Sequence, residues 1–165
     1  MDQVQPLHER AVGDAFIRWF NHGHGKNFTY DNRPREAPDL RYTDEREVLN
    51  LEITDAYYDE HDAVMQWKTA RGRPDAPDRW AGMNFDEALI VNISERIAGK
   101  CSRDYGPNCV LVISVRPALT TGDEMEQMLS DIVIPERVPF AGIYLMGDFG
   151  STASSKSESR CWQLR

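Results

Sequence analysis

Apolar side chains recur along this chain with two periods, and the switches between them predict the order of its elements. Over Pro6 to Asn21, Leu7, Val12, Ala15, Phe16, Trp19 and Phe20 return every three or four positions. That is the spacing of an amphipathic helix, and a proline suits its first turn. The tract His22-Gly23-His24-Gly25 stops it, and Phe28-Thr29-Tyr30 reads as a short strand before a charged turn over 31–36. Pro38 to Ala56 then reads as a β-hairpin. It opens Pro-Asp-Leu-Arg-Tyr, turns through Thr43-Asp44-Glu45-Arg46-Glu47, and continues with Val48, Leu49, Leu51 and Ile53 as the apolar content of a second strand. A short helix over Ala63 to Lys68 and an exposed, flexible Pro/Gly/Arg-rich loop over 68–82 are expected next.

Asn84-Phe85-Asp86-Glu87 has the Asn cap, with Glu three residues on, that marks a helix start. That helix should run to about Asp104 with Leu89, Ile93 and Ile97 as its buried stripe, ending at Gly106-Pro107-Asn108. Cys109 to Val115 is an unbroken apolar run, the pattern of a strand buried on both faces. A second capping box, Thr121-Gly122-Asp123-Glu124, opens a helix to about Ile132. Phe140 to Phe149 reads as another strand, 150–160 as a serine-rich loop, and Cys161 to Arg165 as a closing edge strand. Strands first in hairpins and then joined through helices imply an α/β fold, a mixed central sheet with helices on its faces.

The chain is 165 residues long with 41% hydrophobic content, which suits one domain over 1–165 with a real core. No run approaches the roughly 18 apolar residues of a membrane span, and no signal-peptide pattern opens the chain. A soluble cytoplasmic protein is therefore expected. Cys101, Cys109 and Cys161 have no paired CxxC spacing and read as free thiols. A formal net charge of -8 argues against coating nucleic acid by general electrostatics, although Lys68, Arg71, Arg73 and Arg79 concentrate positive charge between Trp67 and Trp80. Those cations could contact phosphates while the tryptophans stack on bases; the alternative is a solvated loop balanced by Asp75 and Asp78.

Candidate chemistry concentrates on the hairpin. Asp39 enters its first strand after a proline, and Glu52 interrupts the apolar run of the second. A carboxylate in such a run is costly unless something pairs with it. Two on adjacent strands could share a divalent cation, because Mg²⁺ prefers hard oxygen ligands. The bland reading is that Asp39 is a solvated turn acid and that Asn50, Glu52 and Thr54 form the outer face of a half-buried strand. His22 and His24 could bind a transition metal with Cys161 or an acid, or simply occupy a glycine-rich turn. Ser114 lies inside a buried strand without a nucleophile elbow, so serine hydrolysis is not supported.

Pro38-Asp39 on one strand and Glu52-Ile53-Thr54 on the next, within this element order, resembles the restriction-endonuclease-like superfamily, whose motif is Pro-Asp, a spacer, then Asp/Glu-X-Lys. The resemblance covers roughly Glu9 to Phe149. It implies a Mg²⁺- or Mn²⁺-dependent nuclease acting on nucleic acid, DNA ahead of RNA, with a homodimer as one option. It also implies Asp39, Glu52 and the Ile53 carbonyl as metal ligands and Glu9 on the first helix as an assisting acid. Thr54 departs from the motif lysine. Some members relocate that lysine to the following helix, where Lys100 continues the Leu89, Ile93, Ile97 stripe; Lys68 is a second candidate. Two rival classes remain: a catalytically inactive nuclease-fold binding or regulatory module, and an acidic domain whose surface mimics nucleic acid.

Overall fold

A computed structural model describes residues 3–58, 85–117, 119–151 and 154–165. The described elements are α1 (Val4–His24), β1 (Thr29–Asn32), β2 (Leu40–Asp44), β3 (Glu47–Ala56), α2 (Phe85–Cys101), β4 (Cys109–Val115), α3 (Gly122–Met128) with a 3-10 turn at Leu129–Asp131, β5 (Gly142–Ser151) and β6 (Ser154–Gln163). The six strands form one sheet in sequence order. β1, β2 and β3 are an antiparallel meander, β3, β4 and β5 are parallel, and β6 returns antiparallel along β5. The α/β class with a mixed sheet therefore stands as expected. Among the described residues no helix is long and apolar enough to cross a membrane.

Strand alternation sends the apolar side chains of the sheet into two cores. Leu49, Leu51, Ile53, Val110, Val112 and Tyr144 pack on one face with Phe16 and Ile17 of α1. Leu111, Ile113, Ile143 and Leu145 pack on the other with Leu89, Ile93 and Ile97 of α2 and Met125 of α3. Every residue of β4 is buried, as its continuous apolar run requires of a strand covered on both faces.

Several boundaries differ from the sequence reading. Helix α1 continues through His22 and His24 and ends at Gly25, whose φ of 60° supplies a left-handed cap. The Thr121 capping box is formed as expected, but α3 spans only seven residues before the 3-10 turn. The serine-rich stretch expected as a loop over 150–160 is in large part the strand β6, with Ser159 opposite Asp148 and Glu158 opposite Phe149. An edge strand facing solvent needs no apolar alternation and gains from charge, so composition alone resembles a loop. The expected loop over 68–82, and the short helix before it, lie outside the described residues.

Gly13 sets how closely α1 approaches the meander. A Cβ built there would lie 2.4 Å from Leu40 Cδ1 and 2.7 Å from the Tyr42 hydroxyl, and both side chains are 1% exposed. The same crossing is pinned by the Tyr42 hydroxyl, which donates to Asp14 Oδ1 at 2.8 Å. Gly13→Ala is expected to lower stability by about 1–3 kcal/mol through overpacking, outweighing the roughly 1 kcal/mol alanine gains in a helix. Urea denaturation of the variant against the parent checks this, and an unchanged or raised midpoint would refute it.

Candidate functional site

The antiparallel register of β2 and β3 pairs Leu40 with Leu51, so the residue before β2 arrives beside Glu52 and Ile53. Asp39 occupies that position, and its Oδ2 accepts a hydrogen bond from the Ile53 backbone N–H at 2.9 Å. Because Leu51 and Ile53 point into the α1-side core, period-two alternation turns Glu52 and Thr54 toward α2. Glu52 is 5% exposed and Thr54 8%.

A lysine meets that buried glutamate. Lys100, in the last turn of α2, places Nζ 2.6 Å from Glu52 Oε1. Leu89, Ile93 and Ile97 commit this helix face to the core, and the next position on the stripe carries an ammonium onto β3. Burial by itself lowers the pKa of Lys100, but the hydrogen bond and charge of Glu52 outweigh it and the ammonium is held above its ordinary range. Glu52 Oε2 is buried without a hydrogen-bond partner, so the lysine satisfies only half of the carboxylate.

Glu9, from α1, approaches the same hairpin. It is 6% exposed, its Oε1 accepts from Gln5 Nε2 at 2.9 Å, and its Oε2 lies 2.6 Å from Arg33 Nη2. The Arg33 contact is one of charge, since Oε2 has no partner in hydrogen-bond alignment. Arg33 sits in the charged turn between β1 and β2, where no periodicity in the sequence singles it out.

Asp39 registers the sum of these charges. Burial pushes its carboxyl up to about 6; the Ile53 N–H opposes this, Glu52 and Glu9 add to it, and Lys100 draws it back. The thiol of Cys109 is likewise pushed up to about 12 by burial and then by the charge of Glu52. Three carboxylates and one lysine are thus electrostatically coupled at Asp39, with two carboxylate oxygens, Glu9 Oε2 and Glu52 Oε2, lacking a hydrogen bond and only the first of them facing a guanidinium.

Beside them, a cavity of about 270 Å³ opens between β3 and the end of α2, lined by Thr54, Arg96, Lys100, Arg103 and Tyr105 among others. The sequence reading did not single out Arg96, Arg103 or Tyr105. Arg96 and Lys100, four residues apart, share one face of α2, and Arg103 follows two residues past its end. Tyr105 carried no such signal. Lys68, Arg71, Arg73 and Arg79 lie outside the described residues. His24 is occupied locally, its Nδ1 3.0 Å from the Phe20 carbonyl oxygen and its ring stacked on Phe20. Cys101, Cys109 and Cys161 are free thiols.

No family model matches the chain, and neither curated proteins nor solved structures give a match. Among the described residues no three His, Cys, Asp or Glu side chains are grouped to hold a metal by themselves. That excludes a closed protein cage there, but Mg²⁺ is commonly held by one or two carboxylates, with waters and substrate phosphates completing its shell. The unpartnered Glu52 Oε2 beside Asp39 fits this smaller requirement.

The raised pKa of Asp39 has a consequence for stability. Its folded-state value of about 6 lies above the ordinary 3.8, so the ionised carboxylate destabilises the fold above that pH and the penalty fades as the pH falls toward 4. Asp39→Asn removes the charge and keeps an oxygen for the Ile53 N–H. It should raise stability at pH 8 by up to roughly 3 kcal/mol, with the gain vanishing near pH 4. Thermal melts across that range check the sign, and a variant less stable than the parent at pH 8 would contradict it.

Proposed function

We propose that this protein is a divalent-metal-dependent phosphodiesterase of nucleic acid, built on a restriction-endonuclease-like core, with DNA as the favoured substrate over RNA. The observation that carries the reading is the Lys100 ammonium 2.6 Å from Glu52. The motif resemblance lacks its lysine at Thr54, and a lysine from the following helix reaches the same carboxylate.

In this reading Asp39 and Glu52, with the Ile53 carbonyl between the motif positions, hold Mg²⁺ or Mn²⁺. Such an ion, when bound, lowers the pKa of a water and offsets charge on the scissile phosphate. The chain's own residues do the rest. The Ile53 N–H fixes the orientation of Asp39. Lys100, kept protonated by Glu52, donates to a phosphoryl oxygen or orients the attacking water. Glu9, steadied by Gln5 and Arg33, keeps the site's local charge negative and so favours the cation.

The runner-up is a nuclease-fold module that binds a nucleic acid or protein partner without cleaving. The observation in its favour is Thr54 itself, a neutral and buried side chain where the motif carries a cation.

Calorimetric titration with Mn²⁺ tests the metal site without a choice of substrate. Wild-type protein should bind, and Asp39→Ala/Glu52→Ala should not; equal binding by both would remove the site. Lys100→Ala should retain Mn²⁺ binding while slowing cleavage of DNA by about 10²–10³-fold, the scale of losing one preorganised charge donor. Mn²⁺ binding with no cleavage of DNA or RNA would favour the inactive module.

A further inference from the structure

The cavity beside Lys100 has properties that the metal site does not use. Three cations, Arg96, Lys100 and Arg103, and one carboxylate, Glu95, line it, in a chain whose formal net charge is -8. Positive charge is thus concentrated against the trend of the molecule. It also gathers at the C-terminal end of α2, where the helix dipole would by itself repel an anion.

A second observation concerns Tyr105. The residue is 5% exposed and lines the cavity, and its hydroxyl is buried without a hydrogen-bond partner. The ring is held by stacking on Phe140, with centroids 4.9 Å apart, so the hydroxyl is fixed rather than free to turn to solvent. Burial raises its pKa, as does the charge of Glu52, while Lys100 and Arg103 oppose the rise. It therefore remains a protonated donor at neutral pH. An unsatisfied buried hydroxyl costs free energy unless a ligand completes it.

We infer that this cavity is a phosphate-binding subsite: the Tyr105 hydroxyl, the Arg96 and Arg103 guanidiniums and the Thr54 hydroxyl receive a backbone phosphate of the nucleic-acid strand adjacent to the scissile one. The ligand class follows from the lining. Guanidiniums and hydroxyls are donors matched to phosphoryl oxygens, and Lys100 stands between this pocket and Glu52, so one strand would place consecutive phosphates on its two sides. The inference takes its strand from the nuclease reading, but binding there needs no metal.

The test therefore uses the full chain in EDTA, with tetrathymidylate as one probe and inorganic phosphate as the other, both followed by NMR titration. Tyr105→Phe keeps the ring on Phe140 and should weaken tetrathymidylate binding by about tenfold, the loss of one hydrogen bond to a charged group. Arg96→Gln and Arg103→Gln are surface changes that leave the core intact. Each should weaken binding and reduce the salt dependence by about 0.7 in slope, as expected for one lost phosphate contact on a single strand. Equal affinity of wild type and all three variants for tetrathymidylate would overturn the subsite. Inorganic phosphate that binds with this residue dependence but is not displaced by tetrathymidylate would overturn the strand assignment. If the variants behave as expected while Asp39→Ala/Glu52→Ala changes neither Mn²⁺ binding nor cleavage, the subsite stands and the Asp39/Glu52 metal site falls; if they do so while the wild type neither binds Mn²⁺ nor cleaves DNA or RNA, the subsite stands and the nuclease reading falls. If that double variant abolishes both while the EDTA titrations are unmoved, the reverse holds.

Discussion

The ion pair between Glu52 and Lys100 is the constraint around which the α2 face of the sheet is arranged. A carboxylate buried in a strand is tolerated only with a partner, and β3 offers none of its own. Its partner comes from a helix that is separate in sequence, and the helix can supply it because Leu89, Ile93 and Ile97 lock its rotation. Register does the same on the other side: Leu40 opposite Leu51 fixes where Asp39 falls. Breaking the pair would leave Glu52 with both oxygens bare in a low-dielectric setting, a state costlier than having neither charge.

Much of this was legible in the sequence because the signals are local. Hairpin pairing is set by a few residues of turn, so the adjacency of Asp39 and Glu52 follows from the Pro38 to Ala56 pattern. Lys100 follows from period 3.6 once the Leu89 stripe is seen. Two strands of the meander, the capping box at Thr121 and the buried β4 are of the same kind. What local pattern misses is contact between distant segments. Arg33 reaches Glu9 from an aperiodic turn, and Tyr105 is held by Phe140 across the second core. The β6 strand was hidden for another reason, because an exposed edge is stabilised by backbone pairing with β5, which leaves no apolar signature.

The pair and the cavity divide the charge of the region between them. On the Asp39 side, burial first and then the charges of Glu52 and Glu9 raise the Asp39 pKa, with Lys100 opposing them. On the Tyr105 side, guanidiniums dominate and the Tyr105 hydroxyl is buried without a hydrogen-bond partner. Lys100 belongs to both. The flank toward Asp39 is thus anionic and the flank toward Arg96 and Arg103 cationic, and both arise from a single helix end laid against a single strand.

The close crossing at Gly13 extends these couplings beyond the site. Glu9 lies one helical turn before Gly13 on α1, so the spacing between helix and meander also sets how strongly the Glu9 charge is felt by Asp39. The acidity of Asp39 is thereby tied to the volume of a core on the opposite face of the sheet from Lys100. A residue enlarged anywhere along that crossing would act as a distant tuning screw on the carboxylates.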